Sequence, residues 1–286
     1  MNIRKLKVFY ATATSLNMTK AAKDLYVSQP SISQSIQELE SELDTILFDR
    51  IGKRLHLTVE GEVFLNYTRR ILNLYEEAQE SLKEIHKMEK GKIKIGASTT
   101  IGIYILPEII KKFVEEHNQV EISLIVDNTA NIENIILENK LDFAFVEGKI
   151  KSQEIKIEKV WEDELVFICS KNHKWSGRDY IERNELKEEK LIMREKGSGT
   201  REVAEAYLVD RNVDFNVFMK LGDTEAIKKS VEANLGIGCV SLKCIDDSLK
   251  VIRLRDEHIL RDLNLIIHRD KFVNSNMKEF IKMTYK

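Results

Sequence analysis

The spacing of apolar positions changes twice along the chain and divides it into three regions. In residues 1–58, Leu6, Phe9, Tyr10 and Ala13, then Ala21, Ala22 and Leu25, then Ile32, Ile36 and Leu39 recur at helical spacing, so this region reads as short helices joined by tight turns. Thr19 is expected to cap a helix running through Ala21, Ala22, Lys23 and Leu25, after which Tyr26 and Val27 turn the chain. Ser28 caps the next helix, and Pro30 falls in its first turn, where a missing N–H costs nothing. From Thr58 to Lys90 there is no Pro and only Gly61. Phe64, Ile71, Ala78 and Ile85 repeat every seven residues there, Tyr67, Leu74, Ser81 and Met88 lie three further on, and Tyr75 and Leu82 widen the stripe. Residues 59–90 therefore predict one long helix; its stripe packs on its own domain's core or, as the heptad spacing favours, on the same helix of a second copy.

After Gly91 short apolar runs at 92–97, 120–126, 142–148, 164–170, 190–195, 217–222, 237–241 and 263–268 alternate with helical stretches at 105–117, 131–140, 200–212, 224–235 and 275–285. Strand and helix in alternation predict an α/β fold with a mostly parallel sheet covered on both faces. Its length suggests two lobes, 91–162 plus 263–286 and 163–262.

Composition narrows the class: 43% hydrophobic and 32% charged residues describe an ordinary globular protein and argue against disorder. No apolar run approaches the roughly 18 residues of a membrane span. The stretch "VFYATATSL" behind Arg4, Lys5 and Lys7 is short for a signal peptide and is interrupted by Tyr10, Thr12 and Thr14, so a soluble cytoplasmic protein without a membrane partner is expected. Cys169, Cys239 and Cys244 are odd in number and form no C-x-x-C pair, which fits core thiols better than a disulfide framework or a zinc site. His56, His86, His117, His173, His258 and His268 lack metal-ligand spacing, and no cofactor or metal is expected.

The net charge of −2 conceals a gradient. Residues 1–58 carry eight Lys or Arg against six acids, and five of those acids lie after residue 37. The first 37 residues and the segment 50–54 thus form the locally basic surface. Two helices joined by so short a turn make a DNA-reading motif. The second buries Ile32, Ile36 and Leu39 and offers Gln29, Ser31, Gln34 and Ser35 at its exposed N-terminal half, with Ser33 and Gln37 at the margins. Gln can address adenine bidentately, Ser can bond a base edge or a phosphate, and a helix N-terminus favours an anion. The bland alternative is a solvated polar face. In "LFDRIGKRLHLT", Phe48 and Leu55 can anchor a hairpin whose tip carries Arg50, Lys53 and Arg54, a wing able to grip the backbone beside the groove.

With "AAKDLYVSQPSISQSIQELESEL", "LFDR", "LHLT" and Gly61, residues 1–90 resemble the winged helix-turn-helix and linker helix of the LysR-type transcriptional regulators. Further on, "IGASTTIGIYILPEIIKKF", "DFAFVEG", "REKGSGTR" and "VEANLGIGCVS" resemble, more loosely, the family's effector-binding domain. Two departures stand out. Asp44 replaces the usual Gly at a helix end, a place where Asp tolerates a left-handed cap, and Gln34 stands where Arg is frequent. The resemblance implies promoter DNA as partner, a homotetramer built on a dimer through the linker helix, contacts at two promoter sites, and DNA bending that changes with effector. It also places the DNA contacts at Thr19, Ser28, Gln29, Pro30, Ser31, Ser33, Gln34, Arg50, Lys53 and Arg54. The chain is similar to the sulfur-assimilation branch of the family and also to its carbon-fixation branch, which implies an inorganic sulfur oxyanion, a small carboxylate or a phosphate as effector.

Two such lobes resemble periplasmic solute-binding proteins, whose ligands lie outside the carboxyl ends of strands. Four strand ends here lead into helix starts bearing Ser98, Thr99 and Thr100; Asn128 and Thr129; Gly197, Ser198, Gly199, Thr200 and Arg201; and Asp223 and Thr224. Hydroxyls and free N–H groups at such ends can hold a small anion, although each taken singly is an ordinary helix cap. Glu147 is expected as a hinge or rim acid, and Arg194 and Arg201 as neutralising cations or surface ion pairs. Gly197-x-Gly199 and Gly236-x-Gly238 extend to no nucleotide fingerprint, and Ser198 lacks a partnered His, so catalysis has little support. The competing reading is a solute-binding protein or small enzyme with a helical oligomerisation arm.

Overall fold

The structure, a computed structural model, describes residues 1–51, 54–86 and 91–285. It divides into two compact units, Met1–Met88 and Glu89–Lys286.

The first unit begins with α1 (Ile3–Ser15), capped by Asn2, whose side chain accepts from the Lys5 N–H at 3.0 Å. It continues through α2 (Met18–Asp24) and α3 (Gln29–Leu43), the hairpin β1 (Phe48–Ile51) and β2 (Arg54–Leu57), and α4 (Val59–His86). Phe9 lies at the junction: its ring meets Phe48 at 5.4 Å and Phe64 at 4.9 Å, tying the hairpin and the long helix to the three-helix core. Gly61 is required in the first turn of α4, since a Cβ there would stand 2.2 Å from the Leu47 carbonyl oxygen. On α4, Val63, Tyr67, Leu74, Tyr75 and Leu82 are exposed, while Thr68 and Leu72 are buried. Of the stripe itself, Phe64 packs against the core of the unit, whereas Tyr67, Leu74, Tyr75 and Leu82 do not.

The start of α2 differs from expectation. Asn17, not Thr19, is the cap: its side chain accepts from the Thr19 and Lys20 N–H groups, each at 3.0 Å. Met18, half-buried against the core, already belongs to the helix, which moves the cap outward and leaves Thr19 in the first turn.

The second unit contains β3 (Lys92–Ser98), α5 (Thr99–Tyr104), α6 (Leu106–Glu116), β4 (Glu121–Asp127), α7 (Thr129–Leu137), β5 (Phe143–Glu147), β6 (Ile155–Ser170), β7 (Tyr180–Ile181), β8 (Lys190–Arg194), α8 (Gly199–Asp210), β9 (Asn216–Leu221), α9 (Thr224–Glu232), β10 (Ile237–Ser241), β11 (Leu249–Leu254), β12 (Ile259–His268) and α10 (Ser275–Met283). The main sheet runs β4-β3-β5-β12-β6-β10-β8-β9. Pairing is parallel within β4-β3-β5 and β10-β8-β9, but β12 pairs antiparallel with both β5 and β6, and β6 antiparallel with β10 and β11. The sheet is thus mixed rather than mostly parallel. The reason is the 16-residue β6, whose charged first half hid its length, and β12, paired with it from Ile259↔Leu165 to His268↔Ile155. These two strands carry the chain between lobes. One lobe packs around Ile93, Ile95, Phe113, Phe143, Phe145 and Phe280, the other around Phe167, Trp175, Leu191, Met193 and Leu208. Among the described residues no helix is long and apolar enough to cross a membrane.

Candidate nucleic-acid interface and effector cleft

α3 is built as its sequence dictates. The Ser28 hydroxyl accepts from the Ser31 N–H at 3.4 Å, Pro30 lies in the first turn, and the helix closes on Asp44 in the left-handed region at φ 49, ψ 43. Ile32, Ile36 and Leu39 are buried, leaving Ser28, Gln29, Pro30, Gln34 and Gln37 exposed and Ser31, Ser33 and Ser35 half-buried. The Gln34 amide donates to Glu38 Oε1 at 3.0 Å, and Glu38 in turn pairs with Lys5 at 2.8 Å. Those bonds, Lys5's first, lower the Glu38 pKa, so the carboxylate stays charged and able to accept from Gln34.

In the hairpin, Phe48 pairs with Leu57 and Arg50 with Leu55. Thr19, Gln29, Arg50 and Arg54 come together around a concavity of about 740 Å³, also lined by Leu16, Asn17, Met18, Leu55 and His56. Met18 organises it: the Arg50 guanidinium lies 3.8 Å and the Gln29 amide 4.0 Å from its sulfur. Pro30, Ser31, Ser33 and Gln34 line other parts of α3, and Lys53 falls outside the described residues. Sequence reasoning missed Asn17 and His56; the Asx-capping position before an apolar helix pattern was the available signal for the first.

In the second unit the strand ends converge across the two lobes, and two buried guanidiniums bridge them. Arg194, 2% exposed at the end of β8, donates to Thr224 Oγ1 and, in the other lobe, to Thr99 Oγ1, each at 3.2 Å, while Glu195 receives it in two bonds of 2.9 and 3.0 Å. Arg261 on β12 meets Asp163 on β6 at 2.7 Å, Thr200 Oγ1 at 2.8 Å, Thr100 Oγ1 at 3.4 Å and Glu147 at 3.5 Å. Ser241 donates to the other Asp163 oxygen at 2.8 Å. Four of the expected hydroxyls thus contact one of the two arginines.

Glu147, expected at a hinge or rim, is instead 1% exposed at the centre. Its carboxylate accepts from Ser98 Oγ and from Thr200 Oγ1, and its carbonyl accepts from Thr129 Oγ1 at 2.8 Å. Gly199 allows this approach, because a Cβ at that position would lie 2.0 Å from the Glu147 carbonyl oxygen. Gly197 joins the lobes through its own carbonyl, which accepts from the Ala130 N–H at 3.1 Å. Ser198 is buried and makes no side-chain cap bond. Arg201 turns away to Glu205 at 2.8 Å and to the Arg194 carbonyl. At the rim, Tyr104 on α5 donates to Glu225 on α9, which with Asp246 also holds Lys228. Burial first, then that hydrogen bond, pushes the Tyr104 pKa up, so the phenol remains a proton donor. Sequence reasoning missed Arg261, Asp163 and the Tyr104–Glu225 pair. For Arg261 a signal existed: on β12 it falls in the period-two set with Ile259, Leu263 and Leu265, so a charge faces inward on an apolar face.

Two family models match the chain: "Bacterial regulatory helix-turn-helix protein, lysR family" over residues 3–62 and "LysR substrate binding domain" over residues 86–285. A probable RuBisCO transcriptional regulator of Thalassiosira pseudonana is 34% identical over 281 residues, covering 94% of this chain and 92% of that protein. The crystal structure of full-length CbnR complexed with its target DNA superposes with a TM-score of 0.76 at 20% identity, covering 99% of each chain. The regulatory domain of Synechocystis PCC6803 CcmR in complex with 2-PG superposes with a TM-score of 0.64 at 25% identity, covering 68% of this chain and 96% of that one. The chain belongs to the LysR family: it is a DNA-binding transcriptional regulator with an effector-binding domain.

Proposed function

We propose that the protein is a cytoplasmic regulator that reads promoter DNA with α3, grips phosphates with Arg50, Lys53 and Arg54, and is switched by a small anion held between its lobes. The observation that carries the effector reading is the pair of buried guanidiniums, Arg194 and Arg261, each reaching a hydroxyl of the opposite lobe at Thr99 or Thr100. The hydroxyls of Ser98, Thr129, Thr200 and Thr224 and the N-terminal turn of α8 complete a set of donors suited to a compact oxyanion. Glu147 already occupies part of that set, so an entering anion has to displace its carboxylate. The relative named as a probable RuBisCO transcriptional regulator and the 2-PG complex of CcmR make a small phosphorylated or carboxylated acid as good a first candidate as a sulfur oxyanion.

The lobe boundaries 91–162 plus 263–286 and 163–262 put the hinge in β6 and β12. The exposed Tyr67, Leu74 and Leu82 on α4 support pairing with a second copy, and the family's homotetramer follows from two such dimers. The chain acts by binding rather than turnover. An anion shifts the quaternary state only through differential affinity for its forms. A thermal-unfolding screen of sulfate, sulfite, phosphate, phosphorylated acids and small carboxylates tests this, since a ligand of the folded state raises the midpoint. The wild type should respond to one of these classes and Arg194→Gln should not; an equal response of both proteins contradicts the site.

A further inference from the structure

α2 ends in a doubly closed turn: the Tyr26 N–H donates to the Lys23 carbonyl at 3.2 Å and the Val27 N–H to the Ala22 carbonyl at 3.0 Å. This geometry puts Tyr26 in the left-handed region at φ 55, where Gly or Asn is the favoured residue. Leu25 and Val27 on either side pack against the core, but the Tyr26 side chain is 95% exposed. The backbone of Tyr26 closes the turn, but its side chain is costly in that conformation and, at this exposure, adds no packing to the fold. It stands two positions before Ser28, the cap of α3, at the edge of the interface described above.

We propose that Tyr26 is a DNA-contact residue whose phenolic hydroxyl donates to a phosphate oxygen bordering the groove that α3 enters. The proposal rests on the reading of α3 as the recognition helix. Tyrosine hydroxyls are among the side-chain donors that position proteins on the DNA backbone without reading sequence. Because the phenol is neutral, its contact releases no counterion and leaves the salt dependence of binding unchanged, unlike a contact from Arg50. Removing the side chain with Gly should therefore raise stability while lowering affinity, and Phe should lower affinity alone, neither of which a structural role for Tyr26 allows.

The experiment uses the full chain with Tyr26→Gly, Tyr26→Phe and Arg50→Ala, each measured for thermal midpoint and for binding to a mixed-sequence duplex of about 40 base pairs across a salt series. Tyr26→Gly should melt above the wild type and Tyr26→Phe with it, while both bind about three- to tenfold more weakly at an unchanged salt slope. Wild-type affinity in Tyr26→Phe, or a lowered midpoint in Tyr26→Gly, overturns the proposal. If Arg50→Ala also binds like the wild type with the same slope, the assignment of this face to DNA falls with it.

Discussion

Replacing Gly199 by Ala tests how closely the two lobes must approach. A Cβ at 199 would sit 2.0 Å from the Glu147 carbonyl oxygen and 2.6 Å from its carbon, whereas Cβ atoms essentially never come closer than 3.0 Å to a neighbour. Both atoms are backbone at the end of β5, and the added Cβ is fixed to the backbone at the start of α8, so no side-chain rotation relieves the clash. β5 and α8 must part by about 1 Å, which stretches the 3.3 Å Thr200–Glu147 bond beyond bonding range and disturbs the 2.8 Å bond that Thr200 accepts from Arg261. Hydrogen bonds to charged groups contribute about 1.5–3 kcal/mol each, and water entering the opened cleft returns part of this. The net loss should be about 2–4 kcal/mol, equivalent to a midpoint lower by about 5–10 °C for a unit of roughly 200 residues. Calorimetry of the full chain measures it, and any anion that stabilises the wild type should bind the variant at least about tenfold more weakly, because closure of the lobes completes its site. A midpoint within about 1 °C of the wild type, with equal anion affinity, would refute the reasoning.

Glu164 gives a pH-dependent test. Its hydrogen bond from Arg253, helped by one from His258 and opposed by burial, holds its pKa at about 2 against an ordinary 4.5, so its contribution is present above pH 4.5 and lost as pH falls toward 2. The shift corresponds to at most about 3 kcal/mol, so urea titrations should show Glu164→Gln about 1–3 kcal/mol less stable at pH 7, with the gap narrowing below pH 4.5; a gap constant to pH 3.5 contradicts this. At the end of α3, Asp44 occupies the left-handed region at φ 49 with its side chain exposed, so Asp44→Gly should stabilise the first unit by about 0.5–1 kcal/mol. A lower urea midpoint for that variant would show that the Asp44 side chain makes a contribution the geometry does not reveal.

What could be read from the chain and what could not divides by distance. Ser28, Pro30 and Asp44 announce the bounds of α3 because capping is chemistry between residues three or four apart. Thr19 misled because Asn17, two residues earlier, is also a competent cap, and only the packing of Met18 decides between them. The hydroxyls at the strand ends were visible as helix starts, but their partners were not: Arg261 reaches Thr100 across 161 positions, and Glu147 reaches Ser98 across 49. The antiparallel β6 escaped because Lys156, Glu158, Lys159 and Glu162 break its apolar run, although they mark only the solvent-facing part of a strand that continues into the core.

The central claim is that α3 reads bases with Gln29 and Gln34. Its most direct measurement begins with wild-type protein selecting a duplex from a random-sequence pool. Affinity for that duplex and for random competitor is then compared between wild type and the Gln29→Ala, Gln34→Ala double variant at one salt concentration. Each good base contact discriminates by about 1–3 kcal/mol, so the specificity ratio of the double variant should fall by at least about tenfold while its affinity for random duplex is unchanged. An undiminished ratio, or a wild type that selects no sequence at all, would contradict the account.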